Sequence, residues 1–200
     1  VSALILVAAT FCGSQLLSGA PLDLNDDNIP DVWALVYQTG TIDPAADADG
    51  DGLRNDVEAA AGTNPFSPGS TVKIAGTTID ASGLHLSFPT LVGKNYQVQS
   101  SPGLSPAAWT NLGAAHTGTG SDVTATSSAA GATERFYRVV VQEVDSDGDQ
   151  VTDWEEIQIG FNPNNTHSGG LSGPDDLAAL TEALQAPNSI SISAGNATVK

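Results

Sequence analysis

Three short windows of this 200-residue chain carry oxygen-bearing side chains at alternate positions. The second reads Asp47-Ala-Asp-Gly-Asp-Gly-Leu-Arg-Asn-Asp-Val-Glu58, and the third Asp145-Ser-Asp-Gly-Asp-Gln-Val-Thr-Asp-Trp-Glu-Glu156. The first, Asp23-Leu-Asn-Asp-Asp-Asn-Ile-Pro-Asp31, is a degenerate version of the same pattern. Carboxylates this close repel one another unless a cation or abundant water lies between them. The spacing is that of a loop wrapped around a hard divalent ion. Ca²⁺ takes six to eight oxygen ligands at about 2.3–2.6 Å. In a twelve-residue loop they come from side chains at positions 1, 3 and 5, a carbonyl at 7 and a bidentate acid at 12, with position 9 often acting through water.

The second window fills this register completely, with Asp47, Asp49, Asp51, Leu53, Asn55 and Glu58. Gly52 stands at position 6, where the turn is sharpest, and Leu53 can bury its side chain while its carbonyl faces the ion. The third window offers Asp145, Asp147, Asp149, Val151, Asp153 and Glu156, but places Gln150 at the turn. A left-handed Gln costs about 1–2 kcal/mol, so weaker binding or a relaxed loop is expected. The first window offers Asp23, Asn25, Asp27, Ile29 and Asp31, with Asn28 at the turn. Its position 12 is Ala34, which leaves the site incomplete unless another acid, such as Asp43, supplies the missing ligand.

Short helices must hold these ligands. The patterns predict helices over 32–38, 57–61 and 154–159, the first beginning just after Pro30. Gly62 and Gly160 are suited to left-handed caps. Gly62 and Pro65 follow Asp47 at the same intervals as Gly160 and Pro163 follow Asp145, so the unit is a repeat. No helix directly precedes a loop, which argues against a paired helix–loop–helix hand. A further helix is expected from Pro174 to Gln185, with Leu177, Leu180 and Leu184 on one stripe.

Between the second and third windows the pattern switches to period two. Strands are expected at 71–75, 77–80, 84–88, 96–99, 122–126 and 136–142, punctuated by glycine-rich turns. This fits a small antiparallel β-sandwich with Tyr96, Trp109, Phe136 and Tyr137 as its anchors. An alternative use of such aromatics is a sugar-stacking platform.

Composition narrows the function. The chain has 23 acidic and 6 basic residues and a net charge of −17. The windows 23–31, 43–58 and 143–156 hold 17 of the acids but only Arg54 among the bases. Nucleic acid is excluded as a partner, since phosphate binding needs clustered Lys and Arg. One cysteine allows no internal disulfide framework. The three histidines, His85, His116 and His167, fit no zinc motif, and neither a nucleophile elbow nor a phosphate-binding glycine loop occurs. A non-catalytic, calcium-binding structural or adhesion module is expected; the alternative is a carbohydrate-binding or spacer appendage of a larger secreted enzyme.

The Asp-x-Asp-Gly-Asp-Gly-Leu run, followed by Glu58 and by Gly62-Thr-Asn-Pro65, resembles the thrombospondin type 3-like calcium repeats of secreted bacterial proteins. The resemblance covers roughly 23–66 and 145–166. It implies calcium-stabilised spacers between extracellular modules. Leu86-Ser-Phe-Pro89, Tyr96-Gln-Val-Gln-Ser100, Trp109-Thr-Asn-Leu112 and Arg135-Phe-Tyr-Arg-Val139 are similar to segments of small fibronectin-like sandwiches in bacterial surface proteins.

The expected fold is therefore mainly β: a small antiparallel sandwich flanked by calcium-loop and short-helix repeats, with one C-terminal helix. The expected divisions are a signal-peptide-like segment at 1–20, a repeat pair at 21–70, the sandwich at 71–143, a repeat at 144–168, a helix at 169–187 and a further strand or module from 188. The apolar run around Cys12 has the length of a secretory h-region rather than a membrane span. Strand donation to a neighbour is the competing use of that run. The expected cofactor is Ca²⁺, and the candidate partners are other extracellular modules or polysaccharide. The expected location is secreted or at the cell surface, with no membrane span in the mature form.

Overall fold

The computed structural model describes residues 2–5, 19–127, 134–168, 175–185, 190–193 and 196–199. In chain order the elements are β1 (Ser2–Ile5), α1 (Asp31–Tyr37), α2 (Asn55–Ala61), β2 (Gly76–Asp80), β3 (Gly83–Phe88), β4 (Lys94–Ser101) and β5 (Thr110–Asn111). They continue with β6 (His116–Thr117), β7 (Val123–Ser127), β8 (Glu134–Glu143), α3 (Asp153–Ile159), α4 (Asp176–Gln185), β9 (Ile190–Ser193) and β10 (Asn196–Val199). Cys12 and the expected helix start at Pro174 lie outside the described residues.

Period-two alternation builds the central sandwich. One sheet orders β2-β3-β7, and the other pairs β4 with β8, β5 and β6, all antiparallel. Residues one step apart face opposite sides of a strand. Leu84, Leu86 and Phe88 of β3 thus meet Tyr96 and Val98 of β4 and Tyr137 and Val139 of β8 in one core. At the sheet edge β1 pairs with β8 in parallel, and β9 and β10 form a separate antiparallel pair.

Three expectations about this segment need correction. Residues 71–75 form no strand. Val72 is buried in the core and the Ala75 amide donates to Ser87 O at 2.8 Å, so this stretch leads into β2 as irregular chain. Trp109 is no core anchor. Its ring stacks under the Arg138 guanidinium, 4.4 Å from the centroid. Arg138 lies opposite Gln99 in the β4–β8 register, on the face away from Tyr96 and Val98, and Trp109 follows it there. Tyr96 and Tyr137 are buried in that core as expected, whereas Phe136 is buried on the Arg138 face of β8 and outside it.

A second core joins the repeats, which are far apart in sequence. Ile29, Val32 and Trp33 pack with Ala59, Val151, Trp154, Ile159 and Leu180. Helices of seven residues are too short to persist alone in water, and here each lends one face to this shared interior. Polar ties reinforce it. Trp33 Nε1 donates to Thr63 O at 2.7 Å, and the Tyr37 hydroxyl donates to Gly62 O at 2.9 Å. Gly62, at φ +78°, is needed because a Cβ there would sit 2.8 Å from Trp154 Nε1. The α1 helix ends on a left-handed Gln38 before reaching Gly40.

Lys94 fastens the two cores together. Its side chain is 1% exposed, and Nζ bonds Glu143 Oε1 at 2.5 Å and Ala60 O at 3.2 Å. It also lies 5.2 Å from the centre of the Trp154 ring. One ammonium therefore contacts β8, α2 and α3. Removing one partner of a buried pair typically costs about 3–5 kcal/mol, because the other charge is stranded. Lys94→Met is expected to destabilise the fold by about 3 kcal/mol, and Lys94→Met/Glu143→Leu to recover most of that loss. Urea unfolding checks both, and a single variant as stable as the parent would refute the role given to this pair.

Candidate metal centres

All three loops adopt one backbone conformation, dictated by short acidic side chains that accept bonds from their own loop amides. In the second loop Asp47 Oδ1 and Oδ2 accept from Gly50 and Gly52, both at 2.8 Å. Asp49 accepts from Asp51 at 3.0 Å, and Asp51 from Leu53 at 2.7 Å. The third loop repeats every bond. Asp145 accepts from Gly148 and Gln150, Asp147 from Asp149, and Asp149 from Val151, at 2.7–3.2 Å. In the first loop Asp23 accepts from Asp27 and Asn28, Asn25 from Asp27, and Asp27 from Ile29, at 2.9–3.3 Å.

The fourth and sixth positions are left-handed in each loop. They are Gly50 and Gly52, Gly148 and Gln150, and Asp26 and Asn28. Gln150 sits at φ +79° with the surrounding bonds intact, so the third loop tolerates the missing glycine without relaxing. Ile29, Leu53 and Val151, at the seventh position, all bury their side chains.

Asp47, Asp49 and Asp51 bring carboxylate oxygens within 4.8 Å of one another, as do Asp145, Asp147 and Asp149. Glu58 and Glu156, at the twelfth positions, are fully buried on α2 and α3. The unsatisfied atoms say what such clusters need. Asp49 Oδ2 and Glu58 Oε2 are buried without a partner, and so are Asp147 Oδ2, Asp149 Oδ2 and both oxygens of Glu156, while Asp51 Oδ2 meets only the Lys73 ammonium. Buried acceptors almost always find a donor. Converging acceptors that have none suit a hard cation, and the donor set is all oxygen, as calcium requires.

The ninth-position side chains serve the loop backbone. Asn55 Oδ1 accepts from Ala48 N at 3.2 Å, Asp153 Oδ1 from Ser146 N at 2.7 Å, and Asp31 Oδ2 from Leu24 N at 2.7 Å. The first loop has the neutral Asn25 at its third position, between the ligand positions of Asp23 and Asp27, and Ala34 at position 12. Asp43, the acid that could complete this loop, instead accepts from Ala45 N and, through its carbonyl, from Asn55 Nδ2.

Several neighbours carry no signature in the loop pattern. Lys73 Nζ lies 3.1 Å from Asp51 Oδ2, a partial counter-charge at the second loop. Thr152 and Glu155 form a capping box on α3, and Glu155 Oε1 also accepts from Leu22 N at 2.9 Å, tying the first loop to the third. Asp176 of α4 reaches Asp149 and Glu156, the three offering oxygens within 4.8 Å of one another. The Thr-Asp-Trp-Glu spacing is a legible capping box. Asp176 lies beyond any loop register and could be found only from the fold.

A family model for the bacterial TSP3 repeat matches residues 47–68, which span the second loop, α2 and the turn after it. That stretch is thus a thrombospondin type 3-like repeat. No curated protein and no solved structure matches the chain significantly. Among the described residues no helix is long and apolar enough to cross a membrane.

Burial and the facing acids raise the carboxyls that close the loops. Glu58 is pushed up to about 7, first by burial and then by Asp49, Asp51 and Asp47. Glu156 is pushed up to about 8 by burial and by Asp147, Asp149, Asp153 and Asp176. A folded-state value above the ordinary 4.5 means that the ion-free fold favours the protonated acids. Their contribution is full below about pH 4.5 and is lost as pH rises through 7 to 8. In chelator, the protein is expected to melt at a lower temperature at pH 8 than at pH 6. Glu58→Gln/Glu156→Gln should remove most of that difference; calorimetric scans decide, and a variant with the parent's slope would exonerate these acids.

Proposed function

We propose that this chain is a non-catalytic, calcium-stabilised structural module of a secreted or cell-surface protein. Calcium at the loops of Asp47 and Asp145 would stiffen the contact between the repeats and a small fibronectin-like sandwich. The observation that carries this is the set of buried, unpartnered carboxylate oxygens converging in two loops of identical backbone. The matched repeat is a structural calcium-binding unit rather than a catalytic family. The proposed ligands are Asp47, Asp49, Asp51, the Leu53 carbonyl and Glu58 in one site, and Asp145, Asp147, Asp149, the Val151 carbonyl and Glu156 in the other. Asn55 and Asp153 hold each loop in shape. The first loop acts as a turn that seats Ile29 and α1 in the shared core.

Extracellular modules of this type bind calcium at roughly 10⁻⁴–10⁻³ M. At about 1 mM calcium each site then adds about 0.4–1.4 kcal/mol by mass action. For a chain of this size that corresponds to a rise in melting temperature of a few degrees, up to about 10 °C for two sites. Melts in millimolar calcium and in chelator test it, with magnesium as the control ion. The reading fails if the midpoints coincide.

A second reading rests on the pairing of Ser2–Ile5 with β8, which shows that this sheet edge accepts a parallel strand. In an assembly a neighbour's N-terminal segment would take the same place, making the chain a fibre subunit. Size-exclusion profiles of the chain with and without residues 1–18 test this; a monomer in both forms rules it out.

A further inference from the structure

We infer that Asp176, the first residue of α4, is a ligand for the cation of the third loop, so that binding there fastens α4 to the loop. This rests on the calcium reading above and extends it to a residue outside the loop. Asp149, Glu156 and Asp176 are 8%, 0% and 1% exposed, and each turns an oxygen to within 4.8 Å of the others. Asp149 belongs also to the triad with Asp145 and Asp147, so the two triads share one side chain. Glu156 is the decisive side chain. It is completely buried and neither of its oxygens has a partner, although it points at two further carboxylates. A cation between them resolves what is otherwise an unscreened cluster of like charge.

Asp176 is held ready for this role. Its Oδ2 accepts from Ser168 N at 2.9 Å and Ser168 Oγ at 2.6 Å, and its amide donates to Thr166 O at 2.9 Å. Ser168 Oγ in turn accepts from Asn162 N at 2.7 Å, which ties the turn after α3 to the start of α4. The two metal loops differ in counter-charge. The second has Lys73 against Asp51. Among the described residues no Lys or Arg pairs with Asp145, Asp147, Asp149 or Glu156. The third loop instead gathers one more acid. Affinity in such loops rises with the charge of the ligand set, so this site would offset its missing turn glycine.

The consequence is a latch. Apart from Asp176, α4 rests on Leu180 in the shared core, with Leu177 and Leu184 partly buried beside it. A ten-residue helix with so small a footing is marginal alone. A cation bridging Glu156 of α3 and Asp176 of α4 would tie the two helices together.

Calcium titration of the full chain, followed by hydrogen exchange, resolves each loop and α4 separately. In the wild type, amides of Leu177–Gln185 should gain protection with the same midpoint as the Asp145 loop. Asp176→Asn preserves shape and the Ser168 bonds. It should weaken the third loop roughly tenfold or more, abolish the calcium response of α4, and leave the Asp47 loop unchanged. Protected β4 and β8 amides verify that the variant is folded. Failure of both loops to respond in the wild type overturns the calcium reading itself. A responding third loop with an indifferent α4, or with the same midpoint in Asp176→Asn, overturns the latch alone. The wild-type comparison decides even if the variant does not fold.

Discussion

Carboxylates drawn inward by their own loop amides, with too few positive charges to meet them, set the terms for the repeat region. Each acidic side chain at the first, third and fifth positions accepts backbone donors and so shapes its loop without help. That shaping is also what converges the remaining oxygens and leaves them without partners. The loop therefore folds into a state that calls for a cation. The chain has only six basic residues; among the described ones Lys94 is committed to Glu143, the exposed Arg54 pairs with the partly buried Asp56, and Lys73 reaches a loop ligand.

Much of this was legible because the loop is local. The left-handed glycines and the caps at Gly62 and Gly160 are properties of a dozen neighbouring residues, and the structure reproduces them; it also gathers Asp47, Asp49 and Asp51. The mainly β character also followed from alternation, although two-residue strands such as β5 and β6 are too short to leave a period. What could not be read was long-range. Nothing in the pattern around Trp33 or Trp154 says that they share one core, and Asp176 reads as an ordinary helix-start acid. Trp109 misled because size suggests burial, whereas a ring that finds a guanidinium can remain at the surface.

The third loop shows how a local defect is absorbed. A glutamine at the left-handed position carries a penalty of about 1–2 kcal/mol, yet all four loop bonds survive. The surrounding contacts explain why. Val151 is wholly buried in the shared core, Thr152 and Glu155 cap the helix reciprocally, and Glu155 also holds Leu22. Strain at one residue persists when its neighbours are fixed by independent interactions. The first loop is the converse case. It keeps the conformation through Asp23, Asn25 and Asp27 but has Ala34 where a closing acid belongs, so loop shape and ligand completeness are separable.

The same chain meets buried negative charge in two ways. At Glu143 the compensating ammonium is covalently part of the fold: Lys94 lies in the same sheet, and the pair forms whenever β4 and β8 align. At Glu58 and Glu156 the compensation must come mainly from solution. On the proposed reading the sandwich is self-sufficient, while order in the repeats would depend on the composition of the medium. Because Lys94 also touches Ala60 O and the Trp154 ring, the self-sufficient part braces α2 and α3 from one side. Their glutamates, on the other side, stay poised for an ion. On that reading the ion-dependent change would fall in the loops and at the start of α4, and not in the sheets.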